Sequence, residues 1–179
     1  VTFALATGLH KSNIVDLEWS QIDMQRKGCW IYPEDAKAGK AIGVALNDTA
    51  CSVLRDQIGK HHQFVFVREV KFIRATQKGQ VHRIGDFRKA FKTACTNAGI
   101  DNFRFHDLRH TWASWLVQSG TPLSALKEMG GWETLDMVMR YAHLAPNHLA
   151  EHAKQIDGML NANDTNTTQD LFVSPLKQM

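Results

Sequence analysis

The second half of the chain is a series of helical segments separated by Gly and Pro. Between residues 86 and 160, apolar residues recur three or four positions apart, the spacing of a helix with one buried face. We predict helices over 86–99, 106–118, 121–130, 134–142 and 146–160. Their apolar faces include Leu108, Trp112, Trp115 and Leu116 on the second helix and Leu135, Val138, Met139 and Ala142 on the fourth. Helices with such faces must pack on each other, which excludes an all-β fold.

Strand signals lie in the first half of the chain. Residues 29–32 and 41–46 favour strands, and the charged segment between them contains Gly39. This arrangement predicts an antiparallel hairpin. A third short strand is predicted over 64–67, followed by a basic loop over 68–84.

Two more helices are predicted in the first half. One spans 12–19 with Ser12 as its N-cap, and the other begins at Asn47 or Asp48 and ends near Ile58. The whole pattern predicts an α+β fold that is mostly helical. A small antiparallel sheet near the N-terminus is expected to pack on a helical bundle.

Length and composition indicate one soluble domain followed by a tail. With 179 residues, 44% of them hydrophobic, the chain can bury a sizeable core. Residues 1–160 are predicted to form the domain and residues 161–179, rich in Asn, Thr and Asp, a mobile tail. No apolar run approaches the roughly 18 residues of a membrane span, and no signal peptide is predicted. Three widely spaced cysteines fit a reducing compartment.

The positive charge is concentrated in one segment. The net charge of the chain is only +3, but residues 68–109 hold ten basic and four acidic side chains. A positive segment of this kind is typical of proteins that bind a polyanion. A solvated basic surface is the alternative interpretation.

The densest polar cluster spans residues 104–110 (RFHDLRH). On a helix, His106, Arg109 and His110 share one face because they are three and four positions apart. A guanidinium binds two phosphate oxygens at once, and an imidazole donates or accepts a proton, so this face suits a phosphate group. A helix start that merely carries charged side chains is the alternative.

The same histidines have the spacing of a zinc-binding helix. The motif of metalloproteases, however, has Glu where Asp107 stands. A third ligand would have to come from elsewhere, with His143 and His148 as candidates.

A second cluster lies near the end of the predicted domain. Gly130-Gly131-Trp132-Glu133 is followed, nine residues after Trp132, by Tyr141, Ala142 and His143. Since the neighbours of Tyr141 are apolar, a core tyrosine is the simplest interpretation of this residue alone.

Taken together, these clusters resemble the catalytic half of a tyrosine recombinase of the phage integrase family. The family pattern includes HDLRH at 106–110 and, about thirty residues later, RYAH at 140–143. Residues 6–14 (ATGLHKSNI) and 17–19 (LEW) resemble its first box, and 36–40 (AKAGK) its hairpin lysine. The resemblance covers residues 2 to about 155, and it implies the catalytic-domain fold of that family.

The resemblance also implies a role for each matching residue. Tyr141 would be the nucleophile that attacks a DNA phosphodiester and forms a 3′-phosphotyrosine. Lys37 would protonate the departing 5′-oxygen, and His106 would assist proton transfer at the tyrosine. Arg109 would bind the non-bridging oxygens, and Trp132 would donate its indole N–H to the phosphate.

Cofactors and partners follow from the same resemblance. Neither a metal nor another cofactor is expected, because the phosphotyrosine conserves the energy of the broken bond. The expected partners are double-stranded DNA attachment sites and further copies of the chain, four on two duplexes. The expected location is the cytoplasm of a bacterial host, with the gene carried by a phage or prophage.

The chain departs from the family pattern at His10, which stands where the family has its first arginine. Imidazole lacks the guanidinium fork and, at neutral pH, most of the charge. The adjacent Lys11 is expected to point elsewhere. His10 therefore remains a candidate site residue, and a degenerate integrase that binds DNA without efficient strand exchange is the alternative. We also expect the family's helix before the Thr7-Gly8 box, and its upstream DNA-binding domain, to be missing.

A helix-turn-helix regulator is a further alternative. Residues 121–129, the turn at 130–131 and residues 134–142 have a suitable arrangement for this motif. Such a regulator would need no nucleophile, and this interpretation leaves Lys37 and the first box unexplained.

Overall fold

The computed structural model of the chain describes residues 1–33, 39, 41–69, 81–146 and 149–164. Its helices are α1 Thr2–Thr7, α2 Lys11–Val15, α3 Asp48–Arg55, α4 Arg88–Asn97, α5 Asp107–Gln118, α6 Leu123–Gly130, α7 Asp136–Met139 and α8 Leu149–Asp164. Single 3-10 turns occur at Trp19–Gln21 and Ala142–Leu144. Its strands are β1 Ile22–Asp23, β2 Gly28–Ile31, β3 Ile42–Ala45, β4 Val67–Glu69 and β5 Val81–Arg83. None of the helices in these ranges is long and apolar enough to cross a membrane.

Three strands form an antiparallel sheet in the order β1–β2–β3. In β2, Cys29 and Ile31 are buried while Trp30 between them is 42% exposed, so alternate side chains face the core. Ile31 lies opposite Ile42 of β3, and the predicted hairpin pairing is confirmed. The predicted α+β class, mostly helical with a small antiparallel sheet near the N-terminus, is also confirmed.

A second sheet corrects the loop predicted over residues 68–84. Strands β4 and β5 pair antiparallel, with Val67 opposite Arg83, and Arg83 forms an ion pair with Asp16 after α2. The loop prediction was wrong at both ends. The residues of β5 are all exposed, and so are the last two residues of β4. They lack the alternation of apolar and polar side chains that marks a half-buried strand. Residues 70–80 lie outside the described ranges.

Helix α2 and a separate 3-10 turn replace the single helix predicted over 12–19. Before α2, the short helix α1 ends at Thr7, directly before Gly8. Helix α2 begins after His10, which is its extended N-cap in place of Ser12, and ends at Val15. Glu18 then starts a separate 3-10 turn with a reciprocal capping box, which prevents the helix from continuing to residue 19.

The elements between β3 and β4 follow the prediction with shifted ends. The Asn47 side chain caps α3, accepting a backbone N–H bond of 2.9 Å. This helix ends before Ile58. Of the strand predicted over 64–67, only Val67 belongs to β4. Phe64 pairs with Glu18 as a single isolated bridge instead of continuing a strand.

The predicted helices of the second half are all present, with corrected ends. Helix α6 begins after its N-cap Pro122 rather than at residue 121. Helix α7 is a single turn of four residues, much shorter than the predicted range 134–142. Helix α8 continues to Asp164, so the first residues of the predicted tail, 161–164, are helical. The rest of that tail, residues 165–179, lies outside the described ranges.

Helix α5 joins two hydrophobic clusters that together form the core. Its Leu108 packs in the first cluster, with buried side chains from α1, α3 and the three-stranded sheet such as Leu54. Its Trp112 packs in the second cluster, which also contains Leu126 of α6 and Val138 of α7. A functional group at the start of α5 therefore lies at the junction of the two clusters.

Some predicted core positions face solvent instead. Trp115 is 54% exposed, and Leu135 and Met139 are exposed as well. Helical spacing predicts which side chains share a face, but burial also needs a second element over that face. In α7 only Val138 meets such an element.

Glycine is required at the turn after α1. Replacing Gly8 with alanine should lower the free energy of unfolding more than the same change at Gly59. Both residues have a positive φ, which costs an alanine roughly 1–2 kcal/mol. At Gly8 the new Cβ would also lie 2.4 Å from the Trp112 ring, whereas at Gly59 nothing lies within 4 Å. Overpacking should add about 1–3 kcal/mol at Gly8.

Urea unfolding of Gly8→Ala and Gly59→Ala measures this difference. Equal losses of stability would contradict the close packing of Trp112 against the Gly8 turn.

Candidate active site

Five of the six predicted site residues line one open pocket of about 450 Å³. They are His10, His106, Arg109, Trp132 and Tyr141. The sixth, Lys37, lies outside the described residues. The structure thus brings together residues from the α1–α2 turn, α5, the end of α6 and the turn after α7. The roles inferred for them remain predictions.

Arg109 is the most deeply placed charged group of the pocket. It lies on the first turn of α5 and is only 6% exposed. Its Nη1 donates a hydrogen bond to the Gly8 carbonyl at 2.7 Å, and its Nη2 donates one to the Gly130 carbonyl at 2.6 Å. The guanidinium therefore ties the turn after α1 to the end of α6. Since it has five N–H donors, these two bonds leave capacity for a ligand in the pocket.

Trp132 covers the guanidinium from one side. The Arg109 carbon Cζ lies 4.1 Å from the centre of the Trp132 ring, a cation–π contact, and Trp132 in turn stacks on Trp112. A Cβ on Gly130 would lie 2.0 Å from the Trp132 ring, so this position must be glycine. Burial lowers the pKa of the Arg109 guanidinium to about 10, against the attraction of Tyr141. The group therefore remains charged at neutral pH.

Tyr141 is held inside the pocket by its neighbours. It follows α7, is 6% exposed, and packs in the same hydrophobic cluster as Val138. Its hydroxyl lies 2.6 Å from Nδ1 of His110. Burial raises the pKa of the Tyr141 phenol above its ordinary value, while Arg140 and Arg109 oppose the shift. The hydroxyl is therefore protonated at neutral pH, and a reaction that uses its oxygen as nucleophile must remove the proton.

Three histidines form a continuous contact chain toward Tyr141. The rings of His10 and His106 stack at 5.4 Å, and His106 meets His110 edge-on at 5.0 Å. The His106 residue is exposed overall, but partial desolvation of its ring, followed by the charges of His110 and Arg109, lowers its pKa. His106 is therefore mainly neutral at pH 7.

The side chain next to His10 points away from the pocket, as predicted. Lys11 Nζ lies 3.3 Å from Asp86 Oδ1, before α4, and so does not supply the charge that His10 lacks.

Three titratable residues that line the pocket were not among the predicted site residues: His110, Glu133 and Arg140. The signal for His110 was present, since it shares a helix face with His106 and Arg109. Arg140 is adjacent to Tyr141 in sequence. Glu133 follows the predicted site residue Trp132 in the second sequence cluster, but no role was inferred for it.

The zinc interpretation gains no support from the described residues. Within residues 1–33, 39, 41–69, 81–146 and 149–164, no three His, Cys, Asp or Glu side chains are arranged to hold a metal ion. The candidate third ligand His148 lies outside these ranges. The three cysteines are free thiols, with Cys29 and Cys51 buried.

The imidazole of His106 should titrate below the ordinary histidine pKa of about 6.5. Folding disfavours the charged form of the His106 imidazole. The contribution of the neutral ring to stability is therefore fully present above a pH of about 6.5. This contribution is lost as the pH falls through the lower pKa of the folded state. His110→Ala should raise the pKa of His106 because it removes a neighbouring charge. An NMR pH titration of the wild-type chain and of His110→Ala measures the pKa of His106 in each. The variant His106→Gln assigns the resonance.

His62→Ala is the control for this titration, because His62 is exposed and stacks on His61. It should leave the pKa of His106 unchanged. A pKa of His106 at or above 6.5 would contradict the combined effect of partial desolvation and the neighbouring charges of His110 and Arg109.

Known proteins share both this sequence pattern and this fold. The model of the phage integrase family matches residues 1–148. The integrase of Salmonella phage P22 is 59% identical over 169 residues, which cover 93% of this chain and 44% of that protein. This chain therefore spans less than half the length of that relative.

Solved structures give the same result for the fold. The catalytic domain of bacteriophage HP1 integrase superposes with a TM-score of 0.62 and 28% identity, covering 84% of this chain and 76% of that domain. The XerH site-specific recombinase, solved with a palindromic difH substrate in a post-cleavage complex, superposes with a TM-score of 0.60. Its identity is 21%, and the match covers 85% of this chain and 43% of XerH. At that identity the match supports the fold alone.

Proposed function

Because the chain belongs to the phage integrase family of tyrosine recombinases, we propose that it is the domain of a site-specific integrase that cuts and rejoins DNA. The observation that carries the proposal is the placement of the Tyr141 hydroxyl and the Arg109 guanidinium in one pocket. A nucleophilic oxygen next to a buried, charged guanidinium is what phosphoryl transfer requires.

The proposed reaction is a transesterification. The Tyr141 oxygen attacks the phosphorus of a DNA phosphodiester, the bond to the 5′-oxygen breaks, and a 3′-phosphotyrosine forms. By family resemblance, Lys37 protonates the departing 5′-oxygen and His106 assists proton transfer. The 5′-hydroxyl of a second strand then attacks the phosphotyrosine and releases Tyr141. Each step exchanges one phosphoester bond for another, so the proposal requires neither a nucleotide nor a metal ion.

Charge stabilisation in the pocket would come mainly from Arg109. As the phosphorus gains a fifth ligand, negative charge develops on its non-bridging oxygens. Arg109 is already oriented by its two carbonyl bonds, so little reorganisation is needed when that charge appears. Arg140 lines the same pocket and adds positive potential, while Trp132 excludes water from one side of the guanidinium.

The proposed substrate is double-stranded DNA. A protein of similar fold, the Tn1549 transposon integrase, has been solved in complex with circular intermediate DNA. The basic segment of this chain, residues 68–109, includes the exposed Arg88 and Lys89 of α4, and it would contact the phosphate backbone. We further propose that four copies act on two duplexes, within the cytoplasm of a bacterial host that carries the phage or prophage.

The two alternative functions differ in their support. A helix-turn-helix regulator is disfavoured, because α7 is a single turn of four residues and too short for a recognition helix. A degenerate integrase shares every feature of the fold and differs only in whether His10 permits cleavage. The following experiments separate it from an active enzyme.

Tyr141→Phe should abolish formation of a covalent protein–DNA adduct, because it removes the proposed nucleophile. The substrate is a set of nicked duplexes selected by binding from a randomised pool, and the adduct is detected after denaturation. Tyr32→Phe is a matched control, since Tyr32 is the other tyrosine of the chain and is 42% exposed. It should leave the adduct intact. An adduct that survives Tyr141→Phe would refute the assignment of the nucleophile.

His10→Arg should raise the rate of adduct formation on the same nicked duplexes. An arginine can stack on His106 as His10 does, and it adds a permanent charge and a bidentate fork at the pocket. By analogy with the loss of one oxyanion donor, the gain should be about 10²–10³-fold. A wild-type chain that forms no adduct while His10→Arg does would identify a degenerate integrase. An equal rate in both chains would mean that His10 suffices.

A further inference from the structure

The hydroxyl of Tyr141 has one hydrogen-bond partner among the described side chains, and that partner is His110. The distance from Tyr141 Oη to His110 Nδ1 is 2.6 Å. Family resemblance had led us to expect His106 in this place. His106 instead packs against the edge of the His110 ring and against His10.

This contact lies at the atom whose chemistry limits the proposed reaction. Burial keeps the proton on the Tyr141 oxygen at neutral pH. A protonated phenol is a weak nucleophile, so a base must accept the proton as the bond to phosphorus forms. A base must reach that proton by a hydrogen bond, either directly or through one water, and His110 Nδ1 reaches it directly without any movement of the chain.

We propose that His110 is the general base for Tyr141 in cleavage and the general acid in rejoining. In cleavage, the Tyr141 Oη–H bond breaks, its proton moves to His110 Nδ1, and the oxygen electron pair forms the bond to phosphorus. In rejoining, the 5′-hydroxyl attacks, the phosphorus–tyrosine bond breaks, and His110 returns the proton to the tyrosine oxygen. This inference rests on the proposed function, because it needs Tyr141 to be the nucleophile.

The surroundings of His110 suit both directions of transfer. The titratable and charged groups that line the same pocket are His10, His106, Arg109, Glu133, Arg140 and Tyr141. Arg109 and Arg140 favour the phenolate and so assist loss of the proton. In the rejoining step, the leaving tyrosine oxygen gains negative charge and so attracts the proton that His110 holds. The negative phosphoryl oxygens of bound DNA offset the charge that His110 gains between the two steps.

The direction of the hydrogen bond provides a first test that does not depend on activity. The proposal requires neutral His110 to hold its proton on Nε2, so that Nδ1 accepts from the Tyr141 hydroxyl. Nitrogen NMR of the free chain distinguishes the two tautomers. We expect an unprotonated Nδ1 whose resonance moves in Tyr141→Phe. A proton on Nδ1 would overturn the proposal, whether or not the chain forms a covalent adduct.

The second test measures adduct formation against pH. In His110→Asn the amide oxygen can replace Nδ1 as an acceptor but cannot take up the proton. We expect the rate at neutral pH to fall by about 10²–10⁴-fold, with partial recovery toward high pH as the phenol ionises by itself. If His110 only oriented Tyr141, its replacement would misplace the tyrosine at every pH, and the rate would not recover at high pH. His62→Asn, at an exposed histidine outside the pocket, should keep the wild-type profile.

The outcomes separate this inference from the proposed function. An unchanged rate in His110→Asn would show that His110 only orients Tyr141 and would overturn the inference alone. A uniform loss at every pH, with unfolding by urea unchanged, would also overturn it. A wild-type chain and a His10→Arg variant that both form no adduct would refute the proposed function, and the NMR result would still decide the direction of the hydrogen bond.

Discussion

The buried guanidinium of Arg109 connects the parts of the chain that form the pocket. Its two hydrogen bonds end on carbonyl groups of Gly8 and Gly130, at the turns after α1 and α6. A buried cation without partners would be strongly destabilising, so these bonds keep both turns in place. His10 and Trp132 each lie two residues beyond one of those glycines. Their positions in the pocket therefore depend on the same interaction.

Both glycines are needed for a second reason, which concerns packing. A Cβ on Gly8 would enter the Trp112 ring, and a Cβ on Gly130 would enter the Trp132 ring. The two indole rings stack on each other, and Arg109 lies over Trp132. The carbonyl groups can approach the guanidinium only because the tryptophan rings can lie directly against bare backbone. Hydrogen bonding and close packing at this junction therefore require each other.

Elements with strong periodicity were predictable, and those whose structure depends on a partner were not. The apolar spacing of α5 and the cap of α3 at Asn47 are local, since the interacting residues lie within one or two turns. Strand β5 is wholly exposed and forms by pairing with β4, so its residues show no pattern of burial. Trp115 has the spacing of a core residue but faces solvent. In each such case the deciding contact comes from a distant part of the chain.

The sequence by itself determined the fold class and the family, and it identified five residues that line one pocket. Order and spacing were enough because each motif is local and the motifs follow each other in a family-specific order. The tertiary structure decided which side chain meets the Tyr141 hydroxyl, and it is His110 rather than His106. It also decided that Arg109 is anchored by two backbone carbonyl groups. Local spacing places both histidines on one face of α5, and only the path of the chain through α6 and α7 brings the tyrosine to one of them.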